Sequence, residues 1–250
     1  MPAALSLVIP AYNEVRRLPP YLESIRAHCA AEFGEAYEVL VVDDGSRDGL
    51  ADVLRALLPG WPQLNCCHHV ENRGKGAAVR TGMLAARGER LLFADADGAT
   101  PITEECRLRA ALDAGADVAI GSRLVAAAHV QRQRQWTRAL VGRLFAIAAR
   151  NLLQLPVHDT QCGFKMFRRE LGQRLFQQTT ETGYLFDLEV LMLAVRLGYR
   201  IVEVPVHWSD QPGSKLHLRR EFWRIWRDLW RLRQRQITLG SNSQPGNKVL

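Results

Sequence analysis

Asp95 and Asp97 close the apolar run "LLFA" and are followed at once by Gly98. Alternate residues of an extended segment point the same way, so both carboxylates can reach one cation. Their hard oxygens suit Mg2+ or Mn2+, ions that keep some waters and take further ligands from a phosphate-bearing substrate. A solvated turn is the plainer use of such a pair, and the position at the end of a buried strand favours the metal. Asp43 stands in a similar place in "VVDDGSRDG", ending a Val-rich run, where it can accept from a base N–H or a ribose hydroxyl. Asp44 beside it fits a ligand contact or an Asp-Gly turn equally well, the turn leading to a helix cap at Ser46 or Asp48. "ENRGKG" sets Arg73 and Lys75 beside glycines just before a helical stretch. Backbone N–H groups and a helix N-terminus suit a phosphate there, although the GxxxxGK[ST] of a P-loop is absent.

The elements that must carry these loops alternate. Apolar strands are expected at Leu5–Pro10, Glu38–Val42, Leu64–Val70, Leu91–Ala94 and Val118–Ile120, and helices at Arg16–Ala30, Leu50–Leu58, Gly76–Ala86 and Thr103–Ala114. That order predicts an α/β fold with a mostly parallel central sheet flanked by helices. Unbroken apolar strands agree with burial on both faces. Ligands of such sheets bind at the carboxyl edge, where the loops read "PAYNE", "DDGSRDG", "ENRGKG", "DADGAT" and "GSR". Residues 1–236 are expected to form a single domain, with a first half over 1–121 and a second over 122–216. In the second half a long helix is expected at Trp136–Leu153, a turn into a strand at "DTQCGFKMFRR", a helix at Asp187–Leu197 and a strand at Arg200–Val206. Asp187 and Glu189 mark a helix start, where acids favour the dipole. His129, His158 and His207 stand apart, without metal spacing. The polar tail 237–250 is expected to be disordered.

The chain has 250 residues, 47% hydrophobic and 24% charged, which is the composition of an ordinary globular domain. Five scattered cysteines without a CxxC pair argue against a zinc site and a disulfide framework, and for a reducing compartment. "MPAALSLVIPAYNE" has no basic n-region, and the most apolar stretch, "LVGRLFAIAARNLL", is broken by Arg143 and Arg150. Neither a leader peptide nor a membrane span is therefore expected, and the protein is placed in the cytoplasm, peripheral on the cytoplasmic face of a membrane. Charge divides unevenly. Residues 1–121 hold 12 Lys+Arg against 17 Asp+Glu, a net of −5, and residues 122–250 hold 21 against 9, a net of +12. The acidic half suits a cation and the basic half an anionic partner. No helix-turn-helix, zinc finger or RNA-binding aromatic motif accompanies that charge, so nucleic acid is not expected. In 219–236, Phe222, Trp223, Trp226, Leu229 and Trp230 recur near helical spacing among seven arginines. An interfacial membrane helix has that pattern, and so does a helix packed on the core by its aromatic stripe.

Together "IPAYNE", "VVDDGSRDG", "NRGKGAAVRTG", "DADGAT", "GSR", "DTQCGFKMF" and "EVPVHWSDQPGSKL" resemble the GT-A family 2 glycosyltransferases over about residues 5–216. The likeness is nearest to the polyprenyl-phosphate branch, and "DADGAT" and "DTQCGFK" resemble its dolichyl-phosphate glucosyl members more than the mannosyl ones. The resemblance implies inverting transfer from a nucleotide sugar, UDP-glucose first, to dolichyl or undecaprenyl phosphate; mannose, GlcNAc or a non-lipid acceptor is the alternative. It implies that Pro10, Ala11, Tyr12, Glu14, Asp43 and Asp44 line the nucleotide pocket, with Lys75, Arg80 and Ala96 also on the donor. Asp95 and Asp97 correspond to the metal pair, and Arg123 and Arg138 to the basic residues on the acceptor phosphate. Ser214 and Lys215 correspond to the loop that folds over the site. A phosphate acceptor is already anionic near neutral pH, so the resemblance implies catalysis without a dedicated base.

Overall fold

β1 (Leu5–Ala11) is buried along its whole length, and its side chains divide by parity. Leu5, Leu7 and Ile9 enter one apolar layer, and Val8 enters the other. This is the period of two of a strand covered on both faces. The computed structural model of the chain describes residues 3–125, 132–133, 149–209, 211 and 229–234. Around β1 the central sheet contains β2 (Tyr37–Asp43), β3 (Leu64–His68), β4 (Arg90–Ala94), β5 (Val118–Ser122), β7 (Phe164–Arg168) and β8 (Ile201–Pro205), in the order β3-β2-β1-β4-β7-β5-β8. β1 pairs in parallel with both β2 and β4, so chain order reverses between β1 and β4. In an open α/β sheet that reversal opens a crevice at the carboxyl edge.

α1 (Leu18–Phe33), α2 (Leu50–Leu57) and α4 (Glu105–Asp113) cover one face through Leu18, Leu22, Ile25, Leu54, Leu108 and Leu112. α3 (Lys75–Ala85), α5 (Arg169–Gln178) and α6 (Phe186–Arg196) cover the other through Val79, Met83, Leu175, Phe176 and Leu191. The alternation read from sequence holds through β5, with ends displaced by up to three residues. Two features depart from it. β7 runs antiparallel to both neighbours, β4 and β5, although it comes late in the chain. α5 follows it directly, where no helix is expected from sequence. A second, two-stranded parallel pair joins β6 (Arg132–Gln133) to β9 (Trp208–Ser209).

Of the long helix expected at 136–153, the described part, 149–153, is helical and contributes Ala149 and Leu153 to the second layer. Of the helix expected at 219–236, residues 229–234 are described and helical. Leu229 and Leu232 are buried in that layer, while Trp230 is 58% exposed. The expected tail 237–250 lies outside the described residues.

Candidate active site

β4 ends at Ala94, and the chain turns outward through Asp95, Ala96 and Asp97. Gly98 has φ +67°, a left-handed conformation that glycine adopts without a Cβ penalty. Asp97 Oδ1 closes the turn by accepting from Ala99 N at 3.1 Å. Ala96 is buried beneath it. The Asp95 amide donates to the Gly163 carbonyl at 3.0 Å, extending the β4–β7 ladder one step beyond the strands. A Cβ at Gly163 would stand 2.0 Å from Asp95 Oδ2, so only glycine lets this carboxylate lie against β7.

Lys75 and Arg17 reach the pair from other elements, and the buried Lys165–Asp187 pair lies nearby. Lys75 Nζ lies 2.6 Å from Asp95 Oδ1 and 5.4 Å from the Phe93 ring centroid. Burial works against its ammonium, but Asp95, Asp187 and Asp97 together hold it above its ordinary pKa. Arg17 Nη1 lies 3.8 Å from Asp97 Oδ2, while Arg17 Nε donates to Glu14 Oε2 at 2.6 Å. Burial, and then repulsion from Asp95, push the Asp97 carboxyl above its usual range, against the pull of the Ala99 amide and Arg17. Deeper, Lys165 Nζ donates to Asp187 Oδ1 and to the Cys162 carbonyl, both at 2.6 Å. Burial pushes the Asp187 carboxyl up, although Lys165 and Lys75 draw it down. Arg17, Gly163 and Lys165 are not singled out in the sequence reading, although the last two lie in its "DTQCGFK" motif. A lysine inside the apolar strand "FKMF" is the signal that a buried anion must face it.

Among the described residues, no cluster of three or more His, Cys, Asp or Glu side chains could hold a metal. Asp95 and Asp97 offer two hard carboxylates, and burial followed by repulsion from Asp95 disfavours a second negative charge at Asp97 in the absence of an ion. That fits a divalent ion completed by water and phosphate oxygens.

On the other side of the crevice, Pro10 and Ala11 are buried at the end of β1, and Tyr12 is 39% exposed beyond them. Asn13 N donates to Ser46 Oγ at 2.8 Å and Val15 N to Asp48 Oδ2 at 2.9 Å, which ties the β1 and β2 loops together. Asp43 caps its own turn through Ser46 N at 2.9 Å and lies 3.1 Å from His68 Nδ1. Three of the groups expected on the donor are engaged within the protein here. Asp44 is buried, and its carboxylate is occupied by Arg73 N at 3.0 Å, Gly74 N at 2.8 Å and His69 Nδ1 at 2.6 Å. It anchors the loop before α3. The phosphate cradle read into "ENRGKG" is filled from within the protein, because Gly76 N and Ala77 N both donate to the Thr182 carbonyl. Arg80 lies exposed on α3 and gives Nε to the Phe176 carbonyl of α5 at 2.9 Å.

Across Asp97 the second half of the chain closes in. Ser209 N donates to the Ala99 carbonyl at 2.9 Å, which brings β9 beside the Asp97 turn. Arg123, just past β5, grips Asp159 with Nε and Nη2 at 2.8 Å each, and its Cζ lies 5.6 Å from the Trp208 ring centroid. Burial opposes that guanidinium's charge, and Asp159 overrides it and raises its pKa. Arg138, Ser214 and Lys215 lie outside the described residues.

The sequence profile described as Glycosyl transferase family 2 matches residues 6–176. The chain belongs to glycosyl transferase family 2. A dolichyl-phosphate beta-glucosyltransferase of Drosophila melanogaster is 40% identical over 85% of this chain and 69% of its own. The protein of the same name in Homo sapiens is 35% identical over 94% and 76%. Glucosyl-3-phosphoglycerate synthase from Mycobacterium tuberculosis, solved with Mn2+, UDP-glucose and phosphoglyceric acid, matches with a TM-score of 0.61 at 22% identity, over 84% of this chain and 73% of that one. This last likeness is one of fold, and the fold is the GT-A fold.

In this glycosyltransferase the Arg123–Asp159 pair makes a separate stability prediction. Burial works against the Asp159 carboxylate, yet Arg123 outweighs it and lowers the pKa below the ordinary value. An acid depressed in the folded state contributes stability above its unfolded pKa, and loses it as pH falls through the folded value. Asp159→Asn is expected to cost about 2 kcal/mol at neutral pH. The gap from wild type should close below about pH 4. Urea melts at the two pH values measure it; equal loss at both would remove the ion pair as its cause.

Proposed function

We propose that this glycosyltransferase moves glucose from UDP-glucose to a polyprenyl phosphate, dolichyl or undecaprenyl, with inversion, and does so without a general base. The observation that carries the base-free reading is Asp187. It is the candidate base near the site, and it is buried against Lys165 Nζ at 2.6 Å. A hydroxyl acceptor needs a carboxylate free to take its proton. A phosphate monoester needs none, because its second ionisation lies near pH 6. The relatives named as dolichyl-phosphate beta-glucosyltransferases support the transferred sugar and the acceptor.

The residues divide the work. Pro10, Ala11, Tyr12, Glu14 and Asp43 form the nucleotide side, with Asp43 accepting from the base or ribose. Asp95 and Asp97 hold Mg2+ or Mn2+, which when bound neutralises the UDP leaving group. Arg123, kept in place by Asp159, and Arg138 hold the acceptor phosphate in line with the anomeric carbon, and Ser214 and Lys215 contribute further contacts to it. Orientation and charge then supply the rate. Among the described residues no helix is long and apolar enough to cross a membrane. The acceptor is reached at the cytoplasmic membrane surface through 219–236, where buried Leu229 and Leu232 leave Trp230 facing outward.

A transfer assay tests this. Protein and Mn2+ meet polyprenyl phosphate in anionic vesicles with each of several labelled nucleotide sugars, and the lipid is then extracted. Label in the lipid from UDP-glucose alone is expected. Label from GDP-mannose or UDP-GlcNAc instead changes the sugar, and no lipid label from any donor removes the acceptor. The rate at low acceptor should rise through about pH 6 with acceptor ionisation. A profile flat from about pH 5 to 8 would sink the base-free mechanism.

A further inference from the structure

Each aspartate of the proposed cation pair is attended by a cation from a different part of the chain. Lys75 Nζ is 2.6 Å from Asp95 Oδ1, and Arg17 Nη1 is 3.8 Å from Asp97 Oδ2. Two tethered single charges thus face the carboxylates that would hold one doubly charged ion. Lys75 is seated there by construction. The N-terminus of α3 that carries it is pinned by Gly76 N and Ala77 N to the Thr182 carbonyl, and its ammonium also lies over the Phe93 ring. Arg17 is held by Glu14 through both Nε and Nη2, while its Nη1, facing Asp97, is buried with no hydrogen-bond partner. An ammonium in hydrogen-bond contact with a carboxylate oxygen repels a divalent ion arriving at that oxygen.

We propose that Lys75 is a tethered counter-ion of the cation site. It holds Asp95 while the ion is absent, leaves Oδ1 when the ion binds, and then meets the donor's diphosphate. Arg17 is its poised companion at Asp97. The device makes metal and nucleotide depend on each other. An ion binding alone leaves a half-buried ammonium without its anion, whereas a diphosphate gives it another. By linkage each ligand must then strengthen the other by the same factor. The inference rests on the reading that Asp95 and Asp97 hold a divalent cation.

Free Mn2+ measured by electron paramagnetic resonance, with and without UDP, tests it on wild type, Lys75→Met and Lys75→Arg. Lys75→Met is expected to bind Mn2+ about tenfold more tightly without nucleotide. The factor by which UDP improves Mn2+ binding should fall by a similar amount. Lys75→Arg, which keeps the charge, should stay within about threefold of wild type. If the Met variant does not fold, Lys75→Gln makes the same comparison. A long-range charge effect would tighten Mn2+ equally with and without UDP, and an unchanged UDP factor overturns the counter-ion while leaving the cation site standing. Wild type that binds no Mn2+ even with UDP overturns both.

Discussion

Asp97→Ala should lower transfer by about a thousandfold or more while the protein stays folded. Asp97 is one of the two carboxylates proposed to hold the cation, and no third ligating side chain clusters with them among the described residues. The structural cost is small. The variant loses the bond from Ala99 N, worth about 1 kcal/mol. It also removes the repulsion and burial that push the Asp97 carboxyl up in the folded state. Asp97→Asn separates the two roles, because an amide oxygen can keep the Ala99 bond and lose the charge. Transfer assays with thermal melts of both variants decide the matter. Activity near wild type in a folded Asp97→Asn protein would take Asp97 out of the metal site.

Gly163→Ala should be nearly as damaging, although Gly163 carries no functional group. The added Cβ would stand 2.0 Å from Asp95 Oδ2 and 2.2 Å from its Cγ, so the carboxylate must move. The Asp95 amide is bonded to the Gly163 carbonyl, and β7 is fixed between β4 and β5. The strain therefore falls on the Asp95 side chain and its contact with Lys75. A displacement of about 1 Å at a catalytic group costs on the order of a hundredfold in rate. Overpacking of this kind costs about 1–3 kcal/mol in stability. Initial rates at saturating Mn2+, with a melt, test this. Unchanged rate and Mn2+ affinity would mean that Asp95 does not depend on its contact with β7.

Much of the carboxyl-edge geometry was legible because its signals are local. Asp95 and Asp97 share one extended segment, and Asp43 ends a strand whose apolar run is continuous in sequence. Parity along β1 and β4 assigns alternating residues to the two layers, so the α/β architecture and the loaded edge follow from neighbours in the chain. Asp44 was not legible in the same way. An Asp-Gly turn and a ligand contact look alike in sequence, and only the arrival of Arg73 N, Gly74 N and His69 showed where its oxygens go.

The sequence by itself determined the α/β alternation, the carboxyl-edge loops and the paired carboxylates, because strand and helix periods are written in consecutive residues. Only the tertiary structure decided which charges meet. It inserted β7 between β4 and β5, set Gly163 against Asp95, locked Lys165 onto Asp187 and Arg123 onto Asp159, and brought Lys75 and Arg17 to Asp95 and Asp97. Such pairings join distant segments. They follow from how whole apolar faces are buried together, and a buried charge must then find whichever partner that burial places beside it.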